Sequence, residues 1–302
     1  MKRSFWTGFL SLWMLLSGCT DDETGQSWLA RLQGAIPAEE QLMQDRIQRI
    51  ITLDQGMTDI IYNAGGGGYI VGVSEHERFG MFPDSTARIR MNPLDLTQIH
   101  KLKPDLIVGT EGVTRQTKLD SLEKAGFQVK SFTFNEWRDV PNAIKLFGRT
   151  LGTEFRADEA VDSLWAQWKT VRTLLGHYKP SVLLISGNRD LLAFGQDSHI
   201  NALINDGGGF SLTTQLSGGK QVVDAAFVQQ KNPDYLFITP SLATNLRQLE
   251  RKHPFVTSLR AYRKKRIYLV PPEVFLYPSP RFVEGAKEVA QILFSDLIKP
   301  LQ

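Results

Sequence analysis

Short runs of β-branched and aliphatic residues recur along the chain, separated by stretches in which apolar residues follow helical spacing. Four such runs occur in the first half and three in the second. Strands that alternate with helices are typical of parallel sheets covered on both faces. The predicted strands are residues 50–53, 70–73, 105–108, 127–130, 182–185, 235–238 and 266–270.

Two sequence patterns occur once in each half of the chain. A helical stretch leads through Lys-Pro-Asp at 103–105 into one predicted strand, and through Asn-Pro-Asp at 232–234 into another. Proline ends a helix and disfavours helical backbone in the residue before it. Helical segments also run into glycines at 65–68 and 207–209, where a left-handed residue can end a helix. These repeated patterns indicate that the chain contains two copies of one α/β unit.

One longer amphipathic stretch, residues 156–178, separates the two copies. A helix of this length spans about 30 Å, enough to bridge two lobes rigidly. Gly176 and Pro180 end it before the second set of strands. Its apolar positions, spaced by three and four, are Ala157, Val161, Leu164, Trp168, Val171 and Leu175.

The amino-terminal residues have the pattern of an export signal. Lys2 and Arg3 precede a short apolar run at 5–16, which is too short to cross a bilayer and ends in Leu-Ser-Gly before Cys19. We expect a signal peptide at residues 1–18, lipidation of Cys19 and a polar tether at 19–46. The exported protein would then contact the membrane through its lipid anchor only. A lone cysteine is otherwise a buried residue or a reactive thiol.

Composition narrows the possible partners. The formal charge of +3 falls to +1 once residues 1–18 are removed, because that segment carries two basic residues and no acidic one. A nearly neutral surface argues against binding of nucleic acid. A hydrophobic content of 42% supports two domains with cores of their own. We expect a monomer.

Motifs for catalysis or for a resident metal are missing from the sequence. It contains no Gly-x-Ser-x-Gly elbow and no phosphate-binding loop of the Gly-x-x-x-x-Gly-Lys-Ser/Thr type. The glycines at 65–68 follow a helix, so they do not aim a helix start at a phosphate. Five histidines are scattered at positions 76, 100, 177, 199 and 253 and form no paired motif. We therefore predict no enzyme activity, no cofactor and no protein-held metal.

The order of these segments resembles the periplasmic binding proteins that serve ABC importers of iron-siderophores, haem and vitamin B12. The resemblance covers about residues 48–296 and includes the segments 195–200, 207–208 and 278–281. It implies two Rossmann-like α/β lobes with parallel sheets, residues 47–155 and 179–302, joined by the single helix at 156–178. It also implies a cleft between the lobes that captures an iron(III)-siderophore, cobalamin or haem for a permease and its ATPase.

Two departures from that family concern the permease and the ligand. The glutamates that dock such proteins onto the permease would fall at Thr97 and near Gly209, where no acid stands. Either Asp95 and Asp206 take their place at shifted positions, or docking is weaker or different. Aromatic positions that stack on the corrin in vitamin B12 binders are replaced by His76, Arg90 and Val274.

Ligands of open α/β sheets lie beyond the carboxyl ends of the strands, so the loops there hold the candidate binding residues. Arg90 stands about where hydroxamate-siderophore binders place an arginine, and its guanidinium can donate to chelate oxygens. Alternatively, Arg90 lies at a strand edge and forms an ion pair with Asp84. Tyr277 follows the last long strand and either stacks on the ligand or packs on its own lobe. We expect Arg90 and Tyr277 to face each other across the cleft.

The remaining candidates carry weaker arguments. His76 either ligates haem or ferric iron, or is a surface histidine in a solvated turn. Thr110 and Glu111 follow the first Pro-Asp strand, at 105–108, and Asn188 and Arg189 follow the first strand of the second half. Each of these four is either a ligand contact or part of the cleft rim.

A different class of function stays open at this stage. The missing docking glutamates are compatible with a lipid-anchored surface receptor or assembly protein that has kept the fold and lost transport. Such a protein would carry no chelate when purified.

Overall fold

The computed structural model describes residues 47–78, 82, 85–295 and 300–301. The predictions for the signal peptide, for lipidation of Cys19 and for the tether lie outside these residues, as does Asp84. None of the helices within them has both the length and the apolar character needed to cross a membrane.

The first half folds around a five-stranded parallel sheet with the order β3-β2-β1-β4-β5. A π-helical turn at Tyr62–Gly66 and a 3-10 turn at Gly67–Tyr69 join the first helix to the second strand. The elements in chain order are β1 Ile50–Thr52, α1 Gln55–Ile61, β2 Ile70–Ser74, β3 Ala87–Ile89, α2 Leu96–Leu102, β4 Leu106–Thr110, α3 Gln116–Lys124, β5 Val129–Phe132 and α4 Asp139–Leu151.

A long helix, α5, then leads into the second half, whose parallel sheet has the order β11-β10-β6-β8 beside a two-stranded antiparallel sheet of β7 and β9. A 3-10 turn occupies Pro254–Ser258. The elements are α5 Glu154–Thr173, β6 Ser181–Ile185, β7 Leu191–Phe194, α6 His199–Asp206, β8 Phe210–Ser211, β9 Lys220–Val223, α7 Ala225–Lys231, β10 Tyr235–Ile238, α8 Leu246–Lys252, α9 Arg260–Arg263, β11 Ile267–Leu269, α10 Pro272–Phe275 and α11 Phe282–Phe294.

The predicted α/β architecture of two parallel sheets is confirmed, and all seven predicted strands form within a few residues of their expected places. The sequence did not predict β3, β8 or the antiparallel pair of β7 and β9. Except for β7, which is an apolar run of only four residues, these strands lack the continuous apolar run of a buried strand.

The two Pro-Asp segments have the same structure. The preceding residues, Lys103 and Asn232, are left-handed with φ of 45° and 38° and end α2 and α7. The carboxylate of Asp105 accepts from the backbone N–H of Arg49 at 2.9 Å, beside β1. Asp234 accepts from the hydroxyl of Ser181 at 2.7 Å, where β6 begins. Each aspartate therefore ties the start of its own strand to the central strand of its sheet.

The bridging helix is continuous but begins and ends earlier than predicted, at Glu154–Thr173 instead of 156–178. A side-chain carbon at Gly176, three residues beyond its carboxyl end, would overlap the ring of Phe294, so the chain there packs closely on α11. Its buried stripe consists of Ala157, Val161, Leu164, Trp168 and Val171.

Three hydrophobic clusters cover the sheets. The largest joins α1 and α4 of the first lobe to α6 and α11 of the second through the buried stripe of α5. Separate clusters fill the outer faces of the two lobes, under α2 and α3 and under α7 and α8. The bridging helix is thus part of a core that both lobes share, which holds them in one arrangement.

Candidate functional site

The floor of the candidate site in the first lobe is built around Asp54, which follows β1. Its carboxylate accepts from the backbone N–H groups of Thr110 at 2.7 Å and Met57 at 3.0 Å, and from the hydroxyls of Thr110 and Thr114. Burial raises the pKa of Asp54, and these hydrogen bonds act in the opposite direction. Asp54 therefore starts α1 and joins it to the end of β4.

Thr110, a predicted ligand contact, is buried and directs its polar groups toward Asp54. Its neighbour Glu111 is exposed and accepts from the hydroxyls of Ser131 at 3.1 Å and Thr133 at 2.7 Å. Thr110 is therefore a buried residue that holds Asp54 in place beneath the candidate site, whereas Glu111 lies on the surface.

The loop after β2 is held to its surroundings through its backbone and through Glu75. The amide of Gln55 donates to the carbonyl of His76 at 2.7 Å, and Glu75 accepts from the backbone N–H of Met91 at 2.8 Å. The side chain of His76 is 68% exposed and lies 3.7 Å from Glu75. A fixed loop backbone therefore presents His76 to solvent.

Arg90 follows β3 and is 58% exposed. Its Nη2 lies 3.9 Å from Oδ2 of Asp95, while Oδ1 of Asp95 accepts from the backbone N–H of Gln98 at the start of α2. Asp95, a predicted docking residue, thus also caps a helix.

Other cations stand on the same edge. Burial lowers the pKa of Lys118, Arg115 lowers it further, and Glu75 acts in the opposite direction. Because the charge of Glu75 acts on Lys118, the start of α3, with Lys118 and Arg115, lies near the loop after β2. The carboxyl edge of the first sheet therefore carries several cations with a few acids between them.

In the second lobe, the strand ends carry hydroxyl groups. Ser186 lies 2.8 Å from Thr239, which lies 2.9 Å from Ser241, so the ends of β6 and β10 are tied together. Asn188 and Arg189, both predicted ligand contacts, are exposed at the turn between β6 and β7.

Tyr277 of the second lobe is partly buried and faces the first lobe. Burial raises the pKa of its phenol, with a further contribution from the carboxylate of Asp54. Arg78, in the loop after β2, lowers that pKa, whereas Glu77 and Glu273 raise it. The groups that act on Tyr277 thus come from both lobes and include Arg78 as a cation.

The two carboxyl edges meet next to Tyr277. A side-chain carbon at Gly56, in the first turn of α1, would overlap the carbonyl oxygen of Pro278. The guanidinium of Arg281 donates to Asp59 of α1 at 3.1 Å. The site therefore lies where strand-end loops of both sheets come together.

Asp206, the second predicted docking residue, is the last residue of α6 and is partly buried. Burial raises its pKa to about 6, and Arg138 acts against that rise. It precedes β8 and so stands at the amino edge of the second sheet, away from the strand ends that face the first lobe.

Asp54, Asp59 and Arg78 were not selected from the sequence. Arg78 lay in the loop singled out after β2, but no pattern ranked it above its neighbours. The sequence held one signal for Asp59, an acid beside the apolar residues of the helical segment that runs into the glycines at 65–68. A buried acid at such a position requires a partner.

The chain was compared with known families and structures. A family model described as "Periplasmic binding protein" matches residues 50–274. The chain is 22% identical over 316 residues to a Bacillus subtilis protein named "Uncharacterized ABC transporter substrate-binding lipoprotein YvrC", and the match covers 99% of each sequence.

Two solved structures have the same fold. One is a periplasmic haem-binding protein from Pseudomonas aeruginosa, with a TM-score of 0.70 and 21% identity over 85% of this chain and 95% of that one. The other is the periplasmic vitamin B12-binding protein BtuF of Vibrio cholerae, with a TM-score of 0.69 and 18% identity over 82% and 97%.

Proposed function

Because the chain belongs to the periplasmic binding protein family, we propose that it is the substrate-binding lipoprotein of an ABC importer for a metal chelate. Its ligand is an iron(III)-siderophore or a related chelate such as cobalamin or haem, which it delivers to the permease and ATPase. It binds this ligand without catalysing a reaction. The observation that carries the proposal is the meeting of cation-bearing loops of the first lobe with Tyr277 of the second.

The cations at the carboxyl edge of the first sheet suit a ligand with exposed anionic or carbonyl oxygens. Arg90 is mostly exposed, and its contact with Asp95 is long at 3.9 Å, so the guanidinium is free to reorient. Its planar set of donors can bind two oxygens of a chelate at once. A bulky ligand that excludes water would strengthen those hydrogen bonds.

The surroundings of Tyr277 favour a neutral phenol in the unliganded protein. Burial and the acids Asp54, Glu77 and Glu273 raise the pKa of its hydroxyl. A neutral phenol can donate to a chelate or stack on it. A ferric haem bound through Tyr277 would have to displace the phenolic proton, because tyrosine ligates haem iron as its phenolate.

We extend the proposal to export and to docking. Lipidation at Cys19 would tether the folded part to a membrane, as the word lipoprotein in the name of the Bacillus subtilis relative suggests. Asp95 and Asp206 remain our proposed contacts with the permease. Asp95 retains 30% exposure of its side chain, and a pKa near 6 leaves Asp206 mostly ionised at neutral pH.

Titration of ferric hydroxamates, cobalamins and haem, followed by intrinsic fluorescence, tests the ligand assignment. We expect Arg90→Ala and Tyr277→Ala each to weaken binding of the preferred chelate about tenfold or more, the effect of losing one hydrogen bond to a charged group or one aromatic contact. Arg172→Ala and Tyr178→Ala are matched controls, because both residues are exposed and lie at or beyond the end of α5.

Unchanged affinity in both Arg90→Ala and Tyr277→Ala would remove those two residues from the site. If no chelate of the panel binds the unaltered protein, the transport function itself is contradicted. A receptor or assembly protein would then be the better description.

A further inference from the structure

The amino edge of the second sheet carries a concentrated positive charge, on the side of that lobe opposite to the candidate site. Residues 260–266, which lead into β11, contain five basic side chains and no acidic one. The chain from residue 47 onward contains 31 basic and 26 acidic side chains, so without these five the two signs balance. A single segment therefore accounts for the net charge of the folded part.

The fold fixes this segment against the start of the sheet. The backbone N–H of Arg260 donates to Oδ1 of Asn232, the residue that ends α7 just before β10. The backbone N–H groups of Lys265 and Arg266 donate to the carbonyls of Tyr262 at 3.0 Å and Ala261 at 2.7 Å. The turn after α9 is thus closed by hydrogen bonds and presents its side chains from a fixed backbone.

Contacts within the lobe explain only two of the five cations. Arg260 pairs with Asp234 at 2.8 Å, and the guanidinium of Arg266 lies 4.8 Å from the ring centre of Tyr235. The other three are exposed, and no ion pair among the described residues involves them. They are Arg263, Lys264 and Lys265. A helix end favours a nearby cation, but α9 has four residues and does not require three in succession.

Exposed aromatic residues lie at the other end of the same edge. The start of β8 pairs with the start of β6, where the backbone N–H of Phe210 donates to the carbonyl of Pro180 at 2.9 Å. The side chains of Phe210 and Tyr178 are 50% and 66% exposed. In the order β11-β10-β6-β8, three strand spacings separate them from the cations, about 15 Å. Aromatic rings are favoured where water meets lipid.

We propose that this amino edge is a membrane-contact surface. Arg263, Lys264 and Lys265 bind anionic lipid headgroups, and Tyr178 and Phe210 lie at the level of the bilayer interface. Exposed rings beside a cluster of cations suit an anionic bilayer better than an acidic protein, for which the charges alone would suffice. This contact is additional to the lipid anchor expected at Cys19.

The expected anchor places a bilayer within reach of the surface. The 28 residues at 19–46 span at most about 90 Å when fully extended. A single lipid chain holds a protein only weakly, so that a basic surface as a second contact strengthens the attachment considerably. Because the carboxyl edge lies opposite, a chain bound in this way directs its candidate site away from the bilayer.

One acid on the same edge links this contact to permease docking. Asp206 ends α6 just before β8, and the charges of Arg138 and Lys179 act on it. Docking through Asp206 would use the surface that the bilayer covers, so the two contacts exclude each other. The membrane contact itself involves no chelate and stands whether or not one binds.

Sedimentation with lipid vesicles tests the proposal without the anchor. The exported chain, residues 19–302 with Cys19→Ser, should bind vesicles that contain one third phosphatidylglycerol and should not bind pure phosphatidylcholine. Binding should fall steeply between about 0.05 M and 0.5 M salt, because the interaction is screened. Replacement of Arg263, Lys264 and Lys265 by Gln should weaken binding about tenfold or more, since each cation near an anionic bilayer contributes severalfold.

The matched control removes the same charge elsewhere. Lys101, Lys124 and Lys169 are exposed on α2, α3 and α5, and their joint replacement by Gln should change vesicle binding less than twofold. Equal losses in the two triple variants would show that net charge alone attracts the protein and would overturn the proposal. So would an unaltered chain that fails to bind the anionic vesicles at low salt.

A second pair of variants tests the aromatic end without changing a charge. Phe210→Ser should weaken vesicle binding severalfold and leave its dependence on salt unchanged. Phe155→Ser is the control, because Phe155 is 74% exposed at the start of α5 and away from this edge. Equal binding by these two variants would remove the aromatic residues from the proposed surface.

Discussion

At the scale of single residues, the two buried acids of the first lobe's carboxyl edge have different partners. Asp54 accepts from two backbone N–H groups and two hydroxyls, whereas Asp59 has one arginine and one oxygen without a hydrogen bond. A buried carboxylate is costly unless its oxygens are satisfied. Asp54 therefore has the arrangement of a structural cap, and Asp59 that of a group kept charged at a cost in stability.

The pH dependence of stability tests this difference. The raised pKa of Asp59 means that, between pH 4 and 6, the folded protein holds the proton more tightly than the unfolded chain does. The free energy of unfolding must then fall as pH rises through this interval, by up to about 3 kcal/mol for this group. Urea denaturation at pH 4, 5, 6 and 7 should show that Asp59→Asn loses this component.

The free energy of unfolding must be compared between the unaltered chain and Asp59→Asn, because Asp206 and Glu288 also have pKa values raised by burial, to about 6 and about 7. These groups contribute equally to both proteins. The difference between the unaltered chain and Asp59→Asn isolates Asp59. A difference that stays constant from pH 4 to 7 would show that Asp59 titrates normally in the folded protein.

Individual site residues were only partly predictable from the sequence. The loops after the strands were correctly placed, since parallel strands bring their carboxyl ends to one edge. Which side chains within a loop face inward depends on contacts distant in sequence, such as Asp54 with Thr110 or Asp59 with Arg281. No local pattern records those contacts, so the sequence alone did not show that Thr110 is buried against Asp54 or that Arg78 acts on Tyr277.

At the scale of elements, the sequence predicted helices and strands best where they are buried. The strand Tyr235–Ile238 was predicted to the residue, because it is an uninterrupted apolar run ended by Asp234 and Thr239. The exposed β9 was missed, since its polar residues have no core to face. The carboxyl end of α5 was predicted five residues too late, because Gly176 and Pro180, which were expected to end it, lie beyond its last residue, Thr173.

The left-handed residues that end α2 and α7 give a prediction at this scale. Lys103 adopts φ of 45° with a side chain that is exposed, so Lys103→Gly should remove backbone strain and raise the free energy of unfolding by about 1 kcal/mol. Urea denaturation measures the change.

Asn232→Gly is the matched control for that prediction. Oδ1 of Asn232 accepts from the backbone N–H of Arg260 at 2.8 Å, a hydrogen bond that glycine cannot make. The loss of about 1 kcal/mol should offset the relief of strain. If Lys103→Gly is no more stable than Asn232→Gly, the strain at Lys103 is smaller than its backbone angles indicate.

At the scale of the whole molecule, the two lobes pack together, and the candidate site lies where their carboxyl edges meet. Their inner faces share a core through α5, and their carboxyl edges meet at Gly56, Asp59, Pro278 and Arg281. Such a frame would suit the proposed capture of a rigid chelate, because the proposed binding groups would be in position before the ligand arrives.

Native mass spectrometry of the protein purified from its own cells tests the central claim most directly. The account predicts one bound chelate per chain, seen as a single added mass with the isotope pattern or visible absorbance of its metal. It also predicts that Arg90→Ala combined with Tyr277→Ala lowers the occupied fraction. Protein that carries no chelate and acquires none from ferric siderophores, cobalamins or haem would contradict the account.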